Sequence, residues 1–111
     1  MISTIDIGGI MAKKTLDVLT ESMFYILMAL KNEPKCGTDI AAYISKKTNS
    51  RLIIGPATLY TILGKFEQEK YVKEISVVGR KRTYELTPKG REAYERELQR
   101  LIQCVEDAKG E

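Results

Sequence analysis

The sequence predicts a mainly α-helical fold with one small β-hairpin, closed by a C-terminal helix suited to dimerisation. Three observations carry this reading. Apolar positions recur at steps of three and four in separate stretches before residue 70; a β-branched stretch surrounds a basic turn at residues 71–87; and a final amphipathic stretch repeats from Tyr94 to Ala108. At 111 residues the chain holds one compact domain and is too short for two ordinary ones. The expected division is an N-terminal arm at 1–15, a helical domain with its hairpin at 16–87, and the last helix at 88–111.

Residues 1–14 include Gly8-Gly9 and show no sustained period. From Leu16, the positions Leu16, Leu19, Met23, Ile26, Leu27 and Leu30 fall on one helical face, and this first helix must stop before Pro34. Cys36-Gly37-Thr38-Asp39 reads as a turn and helix start, with Thr38 or Asp39 capping the first turn. The second helix turns Ile40, Ala41 and Ile44 inward and ends near Thr48-Asn49-Ser50; Leu52 to Ile54 then form a short extended segment.

Gly55-Pro56 opens a third helix, because proline at the first helical position gives up an N–H that would have had no partner. Leu59, Ile62, Leu63 and Phe66 form its apolar stripe. At about 100° per residue the opposite face carries Ala57, Thr61, Gly64, Lys65 and Gln68, with Thr58 and Tyr60 on the flanks. That face is short and polar, which suits close approach to a groove better than mere solvation. Tyr71 to Val78 and Arg82 to Thr87 read as two strands around a turn at Gly79 to Lys81. Thr87-Pro88 starts the last helix, whose seam of Tyr94, Leu98, Leu101, Val105 and Ala108 points to self-association, the alternative being that it folds back onto the first helix.

The net charge of +3 is small but unevenly placed: residues 71–91 carry six cations against two anions, whereas residues 92–111 carry three against six. The basic centre is Gly79-Arg80-Lys81-Arg82, where a hairpin tip can reach a phosphate backbone or simply blunt a sheet edge. There is no histidine, no glycine-rich phosphate loop, no nucleophile elbow and no carboxylate cluster, so an enzyme is disfavoured. Cys36 and Cys104 lie far apart, without zinc-ligand spacing, and are expected to be free thiols; no metal and no cofactor are expected. No apolar run reaches the roughly 20 residues of a membrane span and no secretory signal is recognisable, so the expectation is a soluble cytoplasmic protein without a membrane partner.

Helix, helix, helix, basic-tipped hairpin, helix is the order of a winged helix-turn-helix, in which the third helix enters the major groove and the hairpin meets the flanking backbone. The strings Leu19-Thr20-Glu21-Ser22-Met23-Phe24-Tyr25-Ile26-Leu27, Gly55-Pro56-Ala57-Thr58-Leu59-Tyr60-Thr61, Phe66-Glu67-Gln68-Glu69 and Gly79-Arg80-Lys81-Arg82-Thr83-Tyr84-Glu85-Leu86-Thr87-Pro88-Lys89-Gly90 together resemble the PadR family of transcriptional regulators. The resemblance spans roughly residues 19–105. Two departures stand out. Ala57 occupies a place where the family usually has glycine, and Gly37-Thr38 stands where it usually has Gly-Tyr, so a phosphate-directed hydroxyl there has a shorter reach.

The resemblance implies a homodimer joined through the last helix and the N-terminal region, repressing promoters at palindromic double-stranded DNA sites. Some members are released by a small hydrophobic effector held between subunits. This chain has no tryptophan to stack such a ligand, leaving Tyr94 or Met23 as candidates. The expected DNA-binding residues are Thr38, Pro56, Ala57, Thr58, Tyr60, Thr61, Lys65, Arg80, Lys81 and Arg82, with Thr58, Tyr60, Thr61 and Lys65 reading bases and the three hairpin cations on phosphates. The expected dimerisation residues are Tyr94, Leu98, Leu101, Ile102 and Val105. The competing readings are a winged helix used for protein contacts and a ligand sensor without DNA binding.

Overall fold

A computed structural model of the chain describes residues 18–111. The expected arm at 1–15 and the start of the first helix at Leu16 lie outside them. Four helices and three strands follow in the order α1 (Glu21–Ala29), β1 (Lys35–Cys36), α2 (Gly37–Lys47), α3 (Pro56–Gln68), β2 (Val72–Val78), β3 (Lys81–Leu86) and α4 (Pro88–Lys109).

Helix α1 begins at Glu21 because Thr20 caps it: the Thr20 hydroxyl accepts the Met23 N–H at 3.2 Å and Glu21 places a negative charge in the first turn. Leu19 therefore precedes the helix, contrary to the expectation from spacing, and still contributes to the core. The two-residue strand β1 was not expected. It pairs antiparallel with β3, Lys35 opposite Tyr84 and Cys36 opposite Thr83, which makes a three-stranded sheet ordered β1-β3-β2. This pairing holds the chain extended up to Cys36, so α2 starts at Gly37 with Cys36 at its N-cap and no side-chain cap. The expected capping by Thr38 or Asp39 is corrected accordingly: Thr38 Oγ1 lies 3.3 Å from Cys36 Sγ instead.

After α2, Asn49 and Ser50 both adopt left-handed backbone conformations, and Thr48 ties the turn by accepting the Leu52 N–H. Leu52 to Ile54 form no strand; Ile54 is buried and Ile53 exposed. Helix α3 has Gly55 at its N-cap and Pro56 at its first position, and it buries Leu59, Ile62, Leu63 and Phe66 as the stripe predicts. In the hairpin, Gly79 adopts a φ of 62°, a conformation glycine takes without steric cost, at the first central position of a two-residue turn. A bulge between Glu74 and Ser76 leaves Ile75 outside the ladder.

The core joins all the layers, with Ile26 and Leu27 of α1, Ile40 and Ile44 of α2, Leu63 and Phe66 of α3 and Val72 of β2 fully enclosed. Thr87 binds the hairpin to the last helix. Its hydroxyl accepts the Gly90 N–H at 3.0 Å and lies 2.6 Å from the Lys70 carbonyl oxygen, to which it donates. Substituting Thr87→Ala removes the cap and this link together, and denaturant unfolding is expected to show a loss of about 1–2 kcal/mol.

Candidate nucleic-acid interface

Helix α3 offers solvent a broad arc because its core stripe uses only one side of it. At about 100° per residue, that arc runs from Tyr60 and Glu67 at one edge, through Ala57, Gly64 and Thr61, to Thr58 and Lys65 at the other. Ala57, Thr58, Thr61 and Lys65 are exposed and share a depression of about 360 Å³ with Thr20, Met23 and Ile62, on the side of α1. Pro56 is exposed at the start of the helix. Thr61 donates its hydroxyl hydrogen to the Ala57 carbonyl at 2.9 Å, which leaves its methyl group and oxygen lone pairs for an outside partner.

Tyr60 stands apart from that group. It lines a cleft of about 400 Å³ with Gly64, Glu67, Arg80, Arg82 and Tyr84, and a second of about 360 Å³ with Cys36, Thr38, Asp39, Arg80, Lys81 and Arg82. The structure thus brings Thr38, Tyr60 and all three hairpin cations together, and sets Ala57, Thr58, Thr61 and Lys65 on the other flank of the same helix.

The three cations differ. Arg82 Nη1 donates to Glu74 Oε1 at 3.2 Å across the hairpin, so part of its charge is already balanced. Arg80 and Lys81 are exposed and have no ion-pair partner among the described residues. Burial pushes the Tyr84 phenol above its ordinary pKa range, with Glu67 adding to the shift, so the cleft wall presents a neutral hydroxyl.

Several contributors escaped sequence reasoning. Gly37 matters because a β-carbon there would collide with the Tyr60 hydroxyl and the ring carbon that bears it. Asp39 and Glu67 place carboxylates in the clefts, and Tyr84 supplies a wall. Of these, Gly37 and Asp39 were legible only as part of a helix start and Tyr84 only as part of a strand.

The expected dimerisation seam divides in two. Tyr94 is buried and stacks on Phe24 of its own chain, ring centroids 5.0 Å apart at 11°, so the reading that assigned it to a second copy is corrected. Leu98 and Leu101 are half-buried against the same core, whereas Ile102 and Val105 are 44% and 53% exposed. Between them Glu97 is buried at 3% exposure and takes two hydrogen bonds from Arg100, Nε to Oε1 at 3.0 Å and Nη2 to Oε2 at 2.5 Å. Met23, like Tyr94, is core, and only an edge of Met23 reaches a surface depression, the one beside Ala57 and Thr58.

Among the described residues both cysteines are free, with Cys36 buried and Cys104 exposed, and no group of three or more metal-ligating side chains forms. No described helix is long and apolar enough to cross a membrane.

Residues 26–96 match the transcriptional regulator PadR-like family. An uncharacterised 37.1 kDa protein in a transposon of Streptomyces fradiae is 38% identical over 77 residues, 69% of this chain and 22% of that protein. The chain therefore spans about a fifth of that curated relative's length. Among solved structures, a transcriptional regulator from Clostridium thermocellum superposes with a TM-score of 0.71 at 24% identity, covering 79% of this chain and 89% of that one. The Bacillus subtilis PadR in complex with operator DNA superposes with a TM-score of 0.63 at 22% identity, covering 71% of this chain and 48% of that one. These likenesses show a shared winged-helix fold.

Proposed function

The chain belongs to the PadR-like family of transcriptional regulators, not to a family of enzymes, and on that premise we propose that it represses promoters by binding a palindromic DNA operator as a homodimer in the cytoplasm. The observation that carries this reading is that one helix serves two surfaces: α3 carries its short, polar exposed face on one flank and, on the other, Tyr60, which lines two clefts with Arg80 and Arg82. In this reading Ala57, Thr58, Thr61 and Lys65 face base edges, Pro56 lets the start of α3 approach the groove, and Arg80 and Lys81 neutralise phosphates beside each half-site. A relative of the same fold was solved with operator DNA, which supports the assignment.

Residues 16–87 are the DNA-binding unit and residues 88–111 the dimerisation helix. The surface offered to a second copy is the outer half of α4, with Leu98, Leu101, Ile102 and Val105; two of these are large apolar side chains left exposed in the single chain. The place for a small effector that releases the protein is the depression of about 380 Å³ between α1 and α4, where Leu19, Phe24, Tyr25 and Leu101 supply apolar wall and Thr20, Glu21, Glu97 and Arg100 supply polar groups.

Selection of bound duplexes from a random pool tests the proposal. The expected product is an inverted repeat with half-sites about one helical turn apart. Enrichment of an unrepeated half-site would remove the dimer, and no enrichment would remove DNA binding.

A further inference from the structure

Tyr60 was expected among the base-reading residues, yet its surroundings differ from those of Ala57, Thr58, Thr61 and Lys65. Its hydroxyl oxygen and the ring carbon bearing it lie so close to Gly37, in the first turn of α2, that a β-carbon at position 37 would overlap them. The same ring closes a small apolar depression with Ala41, Ile54, Pro56 and Leu59. Tyr60 is nevertheless 42% exposed, and its hydroxyl has no hydrogen-bond partner among the described residues. A braced aromatic ring with an unused hydroxyl has little conformational freedom left to lose on binding.

The cavity which that ring borders contains Thr38, Arg80, Lys81 and Arg82 against the single carboxylate of Asp39. Three cations and two hydroxyl groups around one opening favour an oxyanion over a base edge, because an anionic oxygen accepts several hydrogen bonds at once and gains from each positive charge.

We propose that Tyr60 is a phosphate ligand and not a base reader: braced on Gly37, it donates its hydroxyl to a DNA backbone oxygen held between Thr38, Arg80 and Lys81. This rests on the duplex-binding reading above.

The test compares the intact protein with Tyr60→Phe and Thr38→Val, on the selected duplex and on a random duplex of equal length, over a salt series. Tyr60→Phe keeps the ring carbons beside Gly37 but removes the oxygen nearest it, so thermal melting of each variant checks the fold. Tyr60→Phe is expected to weaken both duplexes equally, by about ten-fold or more per copy for one hydrogen bond to a charged oxygen, with discrimination and salt slope unchanged. Thr38→Val should give the same pattern, whereas Arg80→Ala should lower the salt slope by about 0.9 per copy. A selective loss on the chosen duplex would make Tyr60 a base reader and overturn the proposal. Unchanged affinity on both duplexes would overturn it as well, reducing Tyr60 to a brace. If the intact protein itself prefers no duplex, the DNA-binding reading fails first, and that result is separate from either variant's.

Discussion

Replacing Arg80 and Lys81 together with alanine is expected to weaken duplex binding roughly a thousandfold at physiological salt. Each phosphate contact contributes a slope of about 0.9 in log affinity against log salt, which near 0.15 M corresponds to about five-fold per contact. Two cations in each of two copies make four contacts. The salt slope should fall by about 3.6, while the ratio of operator to random affinity stays fixed, because phosphate contacts carry no sequence information. Filter binding or fluorescence anisotropy over 50–300 mM salt, roughly the span in which such slopes are linear, gives both quantities. An unchanged slope would remove the phosphate role. Arg82→Ala alone should have a smaller effect, since Glu74 already accepts from its guanidinium. Viewed from the sequence, the three cations are equivalent; the hairpin register separates them.

The second large effect concerns two glycines that look alike in sequence, both inside helices. At Gly90 an added β-carbon would run into the Tyr71 carbonyl oxygen and Leu86 Cδ1, and a backbone obstacle cannot rotate away. At Gly64 nothing lies within 4 Å of the same addition. Alanine gains about 1 kcal/mol over glycine in helix propensity, whereas forcing a methyl group into filled space costs about 3 kcal/mol. Gly90→Ala should therefore lose a net 2 kcal/mol or so in denaturant unfolding, and Gly64→Ala should gain about 1 kcal/mol. Equal responses at the two sites would contradict the packing described at the start of α4.

That pair illustrates what sequence could and could not convey. The start of α3 at Gly55-Pro56, the hairpin turn at Gly79 and the start of α4 at Thr87-Pro88 were legible because each depends on local backbone chemistry. Strand β1 was not, because two residues have no period and their pairing partners, Tyr84 and Thr83, lie 49 and 47 positions onward. The bracing of Tyr60 on Gly37 and the tight seat of Gly90 are contacts between distant segments, which no local pattern records. The burial of Glu97 runs against its residue type, although its position three after Tyr94 does place it on the inward stripe of α4. Tyr94 itself was read correctly as apolar and helical. Spacing alone could not say which surface it meets, and the stack on Phe24 answers that.

The same stack makes α4 a lever arm. Its fulcrum is where Tyr94 rests on Phe24, and from there the helix runs fifteen residues to Lys109, about 22 Å at the usual rise per residue. A tilt of about 10° at the fulcrum carries the far end through roughly 4 Å, more than half a helical turn. In the proposed dimer, with two such arms joined at their far ends, small repacking beside Phe24 would become a change in the distance between the two copies of α3. The effector proposed for the depression beside Leu19, Phe24, Glu97 and Leu101 would press on the short side of that lever.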